Sequence, residues 1–238
     1  MAERIRIQRA IAGAGLMSRR SAEEAILAGR VRRNGEPVVL GDRVDPETDL
    51  LTLDGVPVPI SEDLETHLLY KPVGAISTAR DPQGRATVVD LVASDKRLYP
   101  VGRLDADSEG LILVSNDGEL THRVTHPSFG VTKTYLAEVE GKVDRGLPRR
   151  LTEGVTLEDG LARASEARIV DTAPDRSLVE VVMVEGRKRE VRRMMEHVGH
   201  PVLRLVRTAI GGLTAPDLAP GESRRLTASD IRRIFEAT

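Results

Sequence analysis

The chain contains no cysteine. That removes disulfides, thiolate zinc sites and thiol nucleophiles, and it fits a reducing compartment without requiring one. Aromatic residues are scarce: Tyr70, Tyr99, Tyr135, Phe129 and Phe235 complete the set. This argues against a sheet-wide stacking platform, and a base that stacks here has a single tyrosine to stack on. No run is long and apolar enough to span a bilayer, and the opening residues 1–6 lack the apolar stretch of a secretion signal. The expectation is a soluble cytoplasmic protein with no membrane partner. His122 and His126 stand at i, i+4, but the five histidines His67, His122, His126, His197 and His200 lack the supporting partners of a metal site, and read as structural or nucleic-acid-adjacent.

What is present is enough for a sizeable core. The 238 residues suit one large or two small domains. The net charge of −2 does not suggest a nucleic-acid binder, but its distribution does. Before Asn34 the chain carries eight arginines (Arg4, Arg6, Arg9, Arg19, Arg20, Arg30, Arg32 and Arg33) against three acids. Guanidinium forks pair bidentately with phosphate, which lysine cannot do.

Helical spacing of Ile7, Ala10, Ile11 and Ala14 predicts a helix within 4–14, closed by Gly13 and Gly15. A second helix runs to Ala28 and stops at Gly29; Ser21 opens a capping box, with Ser18 as the alternative cap. Asn34-Gly35 and Asp54-Gly55 mark tight turns between short strands. Two prolines and an acidic patch break the pattern at 56–66, and 61–66 reads as a linker between domains at 1–60 and 67–238. Beyond it come a buried-type strand at 67–70, a Lys71-Pro72 turn, and a turn at 115–118 that can cap a short helix. Alternating strands follow at 133–140 and 177–185, then a run at 186–195 with helical character. Thr227 is the expected N-cap of a terminal helix.

The rest is organised around residues 101–114, a glycine turn followed by Asp105, Asp107 and Glu109 and then by an apolar run. Carboxylates beside buried apolar sequence are costly unless paired or used. Counted from Asp105, the acids and Gly110 fall at positions 1, 3, 5 and 6 of a calcium loop. Position 12 would then be Asn116 instead of the bidentate Glu, and the later positions are apolar. The remaining reading makes one acid catalytic.

Gly102-Arg103-Leu104-Asp105 with Ser108-Glu109-Gly110-Leu111 resembles the central motif of the RsuA/RluB-type rRNA pseudouridine synthases. Lys71-Pro72-Val73-Gly74, Lys133-Thr134-Tyr135 and the run Gly186 to Met195 resemble the family's other motifs, in the same order. Two helices, Gly29-Arg30-Val31 and Asn34-Gly35 resemble the S-four-like (α-L) RNA-binding module. The resemblance implies an α+β protein: a small N-terminal module that docks on RNA, and a larger catalytic domain on a mostly antiparallel sheet.

It also implies roles. Asp105 would be the catalytic carboxylate, acting by attack on the sugar or by assisting a glycal-type intermediate. Arg192 would hold it ionised. Tyr135 would stack on the flipped uracil and accept its C5 proton, with Val191 packing beneath the ring. Arg103, Leu104, Lys133, Arg187 and Arg189 would complete the substrate contacts, and Arg4, Arg19, Arg20, Arg32 and Arg33 would dock RNA. No metal or organic cofactor is implied, and a monomer is expected. The run Ser77 to Arg85 looks more like the large-subunit branch, which makes large-subunit rRNA the expected substrate. The alternatives are small-subunit rRNA, a non-catalytic rRNA-binding or ribosome-assembly protein, and a metal-dependent RNA-cleaving enzyme using the three acids.

Overall fold

Two pairs of residues with positive φ shape the N-terminal unit of the computed structural model, which describes residues 4–46, 48–58 and 64–236. Asn34 and Gly35 have φ of 53° and 89°, Asp54 and Gly55 of 53° and 81°. Successive positive angles give a turn whose twist matches the flanking strands, and Asn-Gly and Asp-Gly reach it at least cost. The first pair joins Val31–Arg33 to Glu36–Pro37, the second Leu51–Leu53 to Val56–Pro57. The four strands form one sheet, with the 31–33 and 51–53 strands at its centre.

Helices α1 (Ile7–Gly13) and α2 (Arg19–Leu27) pack beside it. Ile7, Ala10, Ile11, Ala22, Ala25 and Ile26 from the helices close a core with Val31, Val44 and Leu51. Helix α1 starts later than the periodicity suggests, because Ile5–Arg6 is a strand paired with Arg43–Val44. Ser18, not Ser21, caps α2: its backbone is extended, and its hydroxyl accepts from the Ser21 amide at 3.1 Å.

Contacts within the chain define two units: one ends at Leu64 and also takes Ser94–Arg97, and the other comprises Glu65–Ala93 and Leu98–Thr238. Residues 61–63 of the expected linker lie outside the described residues, and Thr66 already begins the Thr66–Lys71 strand.

The second unit is built on a nine-stranded sheet. Its main path runs Glu166–Thr172, Arg176–Met183, Lys133–Glu140, Val202–Ile210, Glu109–Ser115, Thr66–Lys71, Ser223–Arg225. All pairings along this path are antiparallel except that of the 109–115 and 202–210 strands. The apolar run after the acids is buried at all seven positions of Glu109–Ser115. Leu111 and Leu113 face one cluster, Ile112 and Val114 another, so a continuous apolar stretch serves both sides of the sheet.

Helix α3 (Gly118–Thr125) is capped by Asp117, which accepts from the Glu119 and Leu120 amides at 2.9 and 3.0 Å. Helices α4 (Leu147–Glu153) and α5 (Glu190–His197) bring Leu147, Leu151, Met194 and Met195 against Ala137, Val139, Val179 and Val181. Helix α6 (Ala228–Ile234) begins at Thr227 with a reciprocal capping box to Asp230.

Gly110 sits where the parallel strands meet, at φ +105°. A Cβ there would overlap the Arg207 backbone. Only glycine allows this approach.

Candidate active site

The loop ahead of the 109–115 strand is fixed from three directions. Ser77 holds Leu104 at both backbone groups: its hydroxyl accepts from the Leu104 amide at 3.0 Å and donates to the Leu104 carbonyl at 2.8 Å. Lys71 is wholly buried, and its ammonium donates to the carbonyls of Pro72 at 3.0 Å and Ser108 at 2.6 Å. Burial pulls Lys71 down to about 8, while the charges of Asp107, Asp105 and Glu109 pull the other way. Arg192 donates to the Asp107 carbonyl at 2.8 Å and to the Val202 carbonyl at 3.1 Å.

The three acids diverge. Asp107 pairs with Arg189 at 2.8 Å and with Arg192 at 3.5 Å. Burial opposes its ionisation, yet the Arg189 hydrogen bond and the two guanidinium charges hold the Asp107 carboxyl below the usual range. Glu109 takes Arg204 at 2.6 Å and the Tyr70 hydroxyl at 3.4 Å. Among the described residues no three His, Cys, Asp or Glu converge as metal ligands. Asp105 accepts no hydrogen bond from a described residue and lines a cavity instead. Arg192, expected against Asp105, thus forms its ion pair with Asp107; Asp105 acts on it, and on Lys71, through the field alone.

That cavity has a volume of about 140 Å³. A cavity of about 150 Å³ holds one benzene ring, so this is the scale of a single six-membered ring. Tyr135, half-buried on the 133–140 strand and packed on two apolar clusters, forms one wall, with Leu104, Val191, Met183 and Leu205. Arg103, Ser108, Glu185 and the residues from Gly186 to Glu190 supply its polar edge. The Glu190 carboxyl is raised by its burial, although it accepts from the Arg187 amide at 2.9 Å.

The expected substrate contacts fall into two groups. Arg103, Leu104 and Val191 line the cavity, and Arg103 is exposed. Arg187 and Arg189 line it too, but with committed guanidinium groups: Arg187 binds Glu185 at 3.0 Å and the Leu161 carbonyl at 2.8 Å, and Arg189 holds Asp107. Lys133 lies outside this cavity, its ammonium donating to the carbonyls of Val124 at 2.9 Å and Val131 at 2.7 Å.

In the N-terminal unit, Arg4 and Arg19 share a surface cavity of about 430 Å³ with Arg6, Arg9 and Arg43. Arg20 is exposed outside it. Arg32 and Arg33 turn onto the carbonyls of Gly35 and Arg43. The sequence offered no individual role for Glu190 or Arg207, and placed Lys71 and Ser77 only within motif runs. A lysine closing an otherwise apolar, buried strand was the available signal for Lys71.

Known proteins match this chain along most of its length. A family model described as RNA pseudouridylate synthase matches residues 65–197, and one described as S4 domain matches residues 5–50. An uncharacterized RNA pseudouridine synthase of Mycobacterium leprae is 46% identical over 237 residues, covering 98% of this chain and 93% of that protein. The ribosomal large subunit pseudouridine synthase B of Bacillus subtilis is 40% identical over 233 residues, covering 96% and 95%. A crystal structure of a pseudouridylate synthase superposes with a TM-score of 0.68 at 30% identity, covering 97% of this chain and 99% of that one. The chain belongs to the RNA pseudouridylate synthase family, on its RsuA/RluB-type side. It is an RNA pseudouridine synthase with an N-terminal RNA-binding domain.

Proposed function

We propose that the chain converts one uridine of large-subunit ribosomal RNA to pseudouridine, with Asp105 as the catalytic carboxylate. The reaction breaks the bond from N1 to the sugar, turns the uracil in place and joins C5 to the same sugar carbon. Nothing is oxidised and no water is consumed, so a positioned carboxylate can serve as nucleophile or as electrostatic stabiliser. A stacked base is out of reach, so the uridine is flipped into the site. The detached uracil has to be retained, which favours an apolar, ring-sized chamber.

One observation carries this reading: Asp105 is the acid of its loop with no hydrogen-bond partner among the described residues, and it lines a cavity of about 140 Å³ together with Tyr135. The buried cations Lys71 and Arg192 lie within electrostatic reach of it. The Tyr135 ring supplies a stacking face, and its hydroxyl is the proton acceptor at C5. Large-subunit rRNA is favoured by the Bacillus subtilis relative and by those of Haemophilus influenzae and Vibrio cholerae, whose names specify it. The protein acts as a monomer in the cytoplasm. Mapping pseudouridine in ribosomal RNA from cells with and without the protein tests the proposal. Loss of one large-subunit site supports it; an unchanged large-subunit map overturns it.

A further inference from the structure

A second cavity, of about 220 Å³, abuts the first and shares Arg103, Tyr135 and Gly186 with it. Lys133 and Arg207 are its other charged walls, and no carboxylate lines it. Arg207 is 4% exposed. Its Nε donates to the Leu111 carbonyl at 2.6 Å, while its Nη2 is buried with no hydrogen-bond partner among the described residues. Lys133 spends two of its three donors on Val124 and Val131. Arg103 has no hydrogen-bond partner among the described residues. Elsewhere in this unit buried Arg192 has Asp107 beside it and Lys71 has three carbonyls, whereas Arg207 has one carbonyl on its Nε.

Burying cations without an anion is expensive. A pocket that sets one buried guanidinium with an unused nitrogen beside a half-buried ammonium, with an exposed arginine at its edge, is arranged for a negative group that arrives from outside. The wall shared with the ring-sized cavity indicates what that group belongs to, because in a nucleic-acid strand the phosphates lie one sugar away from each base. On the reading of the first cavity as the uridine site, we infer that the second cavity binds a phosphodiester of the same RNA strand next to the flipped nucleotide, with Arg207, Lys133 and Arg103 as its ligands. This grip holds the backbone while the base turns, and it places the tyrosine between base and phosphate.

Lys133 reports on the site. Burial first, and then Arg207, pull its ammonium down to about 8. An anion within about 4–6 Å should raise that midpoint by about 1–3 pH units. The chain has five lysines, so isotope-labelled lysine side chains of the full-length protein can be followed individually by NMR. The probes are uridine, inorganic phosphate and uridine 3′,5′-bisphosphate.

The bisphosphate is expected to raise the Lys133 midpoint at a lower concentration than inorganic phosphate does, and uridine is expected to leave it in place. Arg103→Gln, which alters an exposed side chain, should weaken the response several-fold. A Lys133 signal unmoved by the bisphosphate overturns the inference, as does an equal response to inorganic phosphate, which would mark a site for the free ion. The pseudouridine map is read separately. A silent Lys133 in a protein that makes pseudouridine removes only the phosphate site, and a responsive Lys133 in one that makes none removes only the uridine assignment.

Discussion

Lys71 donates to the carbonyl of Ser108 at 2.6 Å across 37 residues of sequence, and it does so with no exposed surface. A charged side chain is thereby used as a backbone clamp on the loop that carries Asp105. Replacing it with an apolar residue of similar length leaves those carbonyls without a donor, at about 1–3 kcal/mol each. Lys71→Met should therefore lower turnover by about a hundredfold through misplacement of the loop, with RNA affinity within a few-fold of the parent. Single-turnover rates and filter binding separate the two; loss of both in equal measure would make Lys71 a folding residue only.

The buried lysines also set a pH dependence of stability. The folded chain releases protons from Lys71 and Lys133 from about 8, whereas the unfolded chain holds them to 10.5. Between those values the unfolded state binds more protons, so these two groups make stability rise with pH across that window. Denaturant unfolding of the parent should show a rising contribution that the Lys71→Met, Lys133→Met double variant lacks. Parallel curves for the two proteins would contradict the burial of these ammonium groups.

Arg189 and Arg192 both hold Asp107, but they should not be equivalent. Arg189 is exposed, and an exposed pair contributes at most about 1 kcal/mol. Arg192 is 9% exposed and also satisfies two carbonyls. Arg192→Met should cost about 1–3 kcal/mol of stability and most of the turnover, and Arg189→Gln less than about 1 kcal/mol. Equal losses in thermal unfolding would show that the buried position of Arg192 has no consequence.

Glycine tolerance should differ sharply between two positions of similar φ. Gly35→Ala, where an added Cβ meets nothing within 4 Å, should cost about 1–2 kcal/mol from backbone conformation alone. Gly110→Ala, where it meets the Arg207 backbone, should cost more than about 4 kcal/mol or prevent folding. Similar melting temperatures for the two variants would contradict the close strand approach.

Salt dependence tests the arginine cavity of the N-terminal unit. Each lost phosphate contact flattens the log–log slope of RNA binding by about 0.7–0.9. Arg6→Gln with Arg19→Gln should flatten it by up to twice that, while Arg32→Gln, whose guanidinium already serves the Gly35 carbonyl, should change it little. An unaltered slope in the double variant would remove this surface from RNA docking.

Local chemistry was legible in the sequence and long-range pairing was not. Asn34-Gly35, Asp54-Gly55, the capping turn at 115–118, the Thr227 cap and the strand at 133–140 depend on neighbours a few residues away, and each is found where the pattern put it. The partners of the acids come from elsewhere. Arg189 reaches Asp107 across 82 residues and Arg204 reaches Glu109 across 95, so no spacing rule could say which acid would be left for the cavity. Family resemblance supplied Asp105 and Tyr135. It gave no warning that Arg192 would grip the loop backbone and Asp107, or that Arg187 would be taken up by Glu185. Arg207 sits in an alternating strand, and only the sheet reveals that its Nη2 is buried with no hydrogen-bond partner among the described residues.

The most direct measurement is pseudouridine formation by Asp105→Asn on deproteinised large-subunit ribosomal RNA, with binding followed in parallel. The amide keeps the shape of the carboxylate and removes its charge. The account predicts no detectable pseudouridine and an RNA affinity close to that of the parent. Turnover near the parental rate, with Asp105 neutralised, would contradict it.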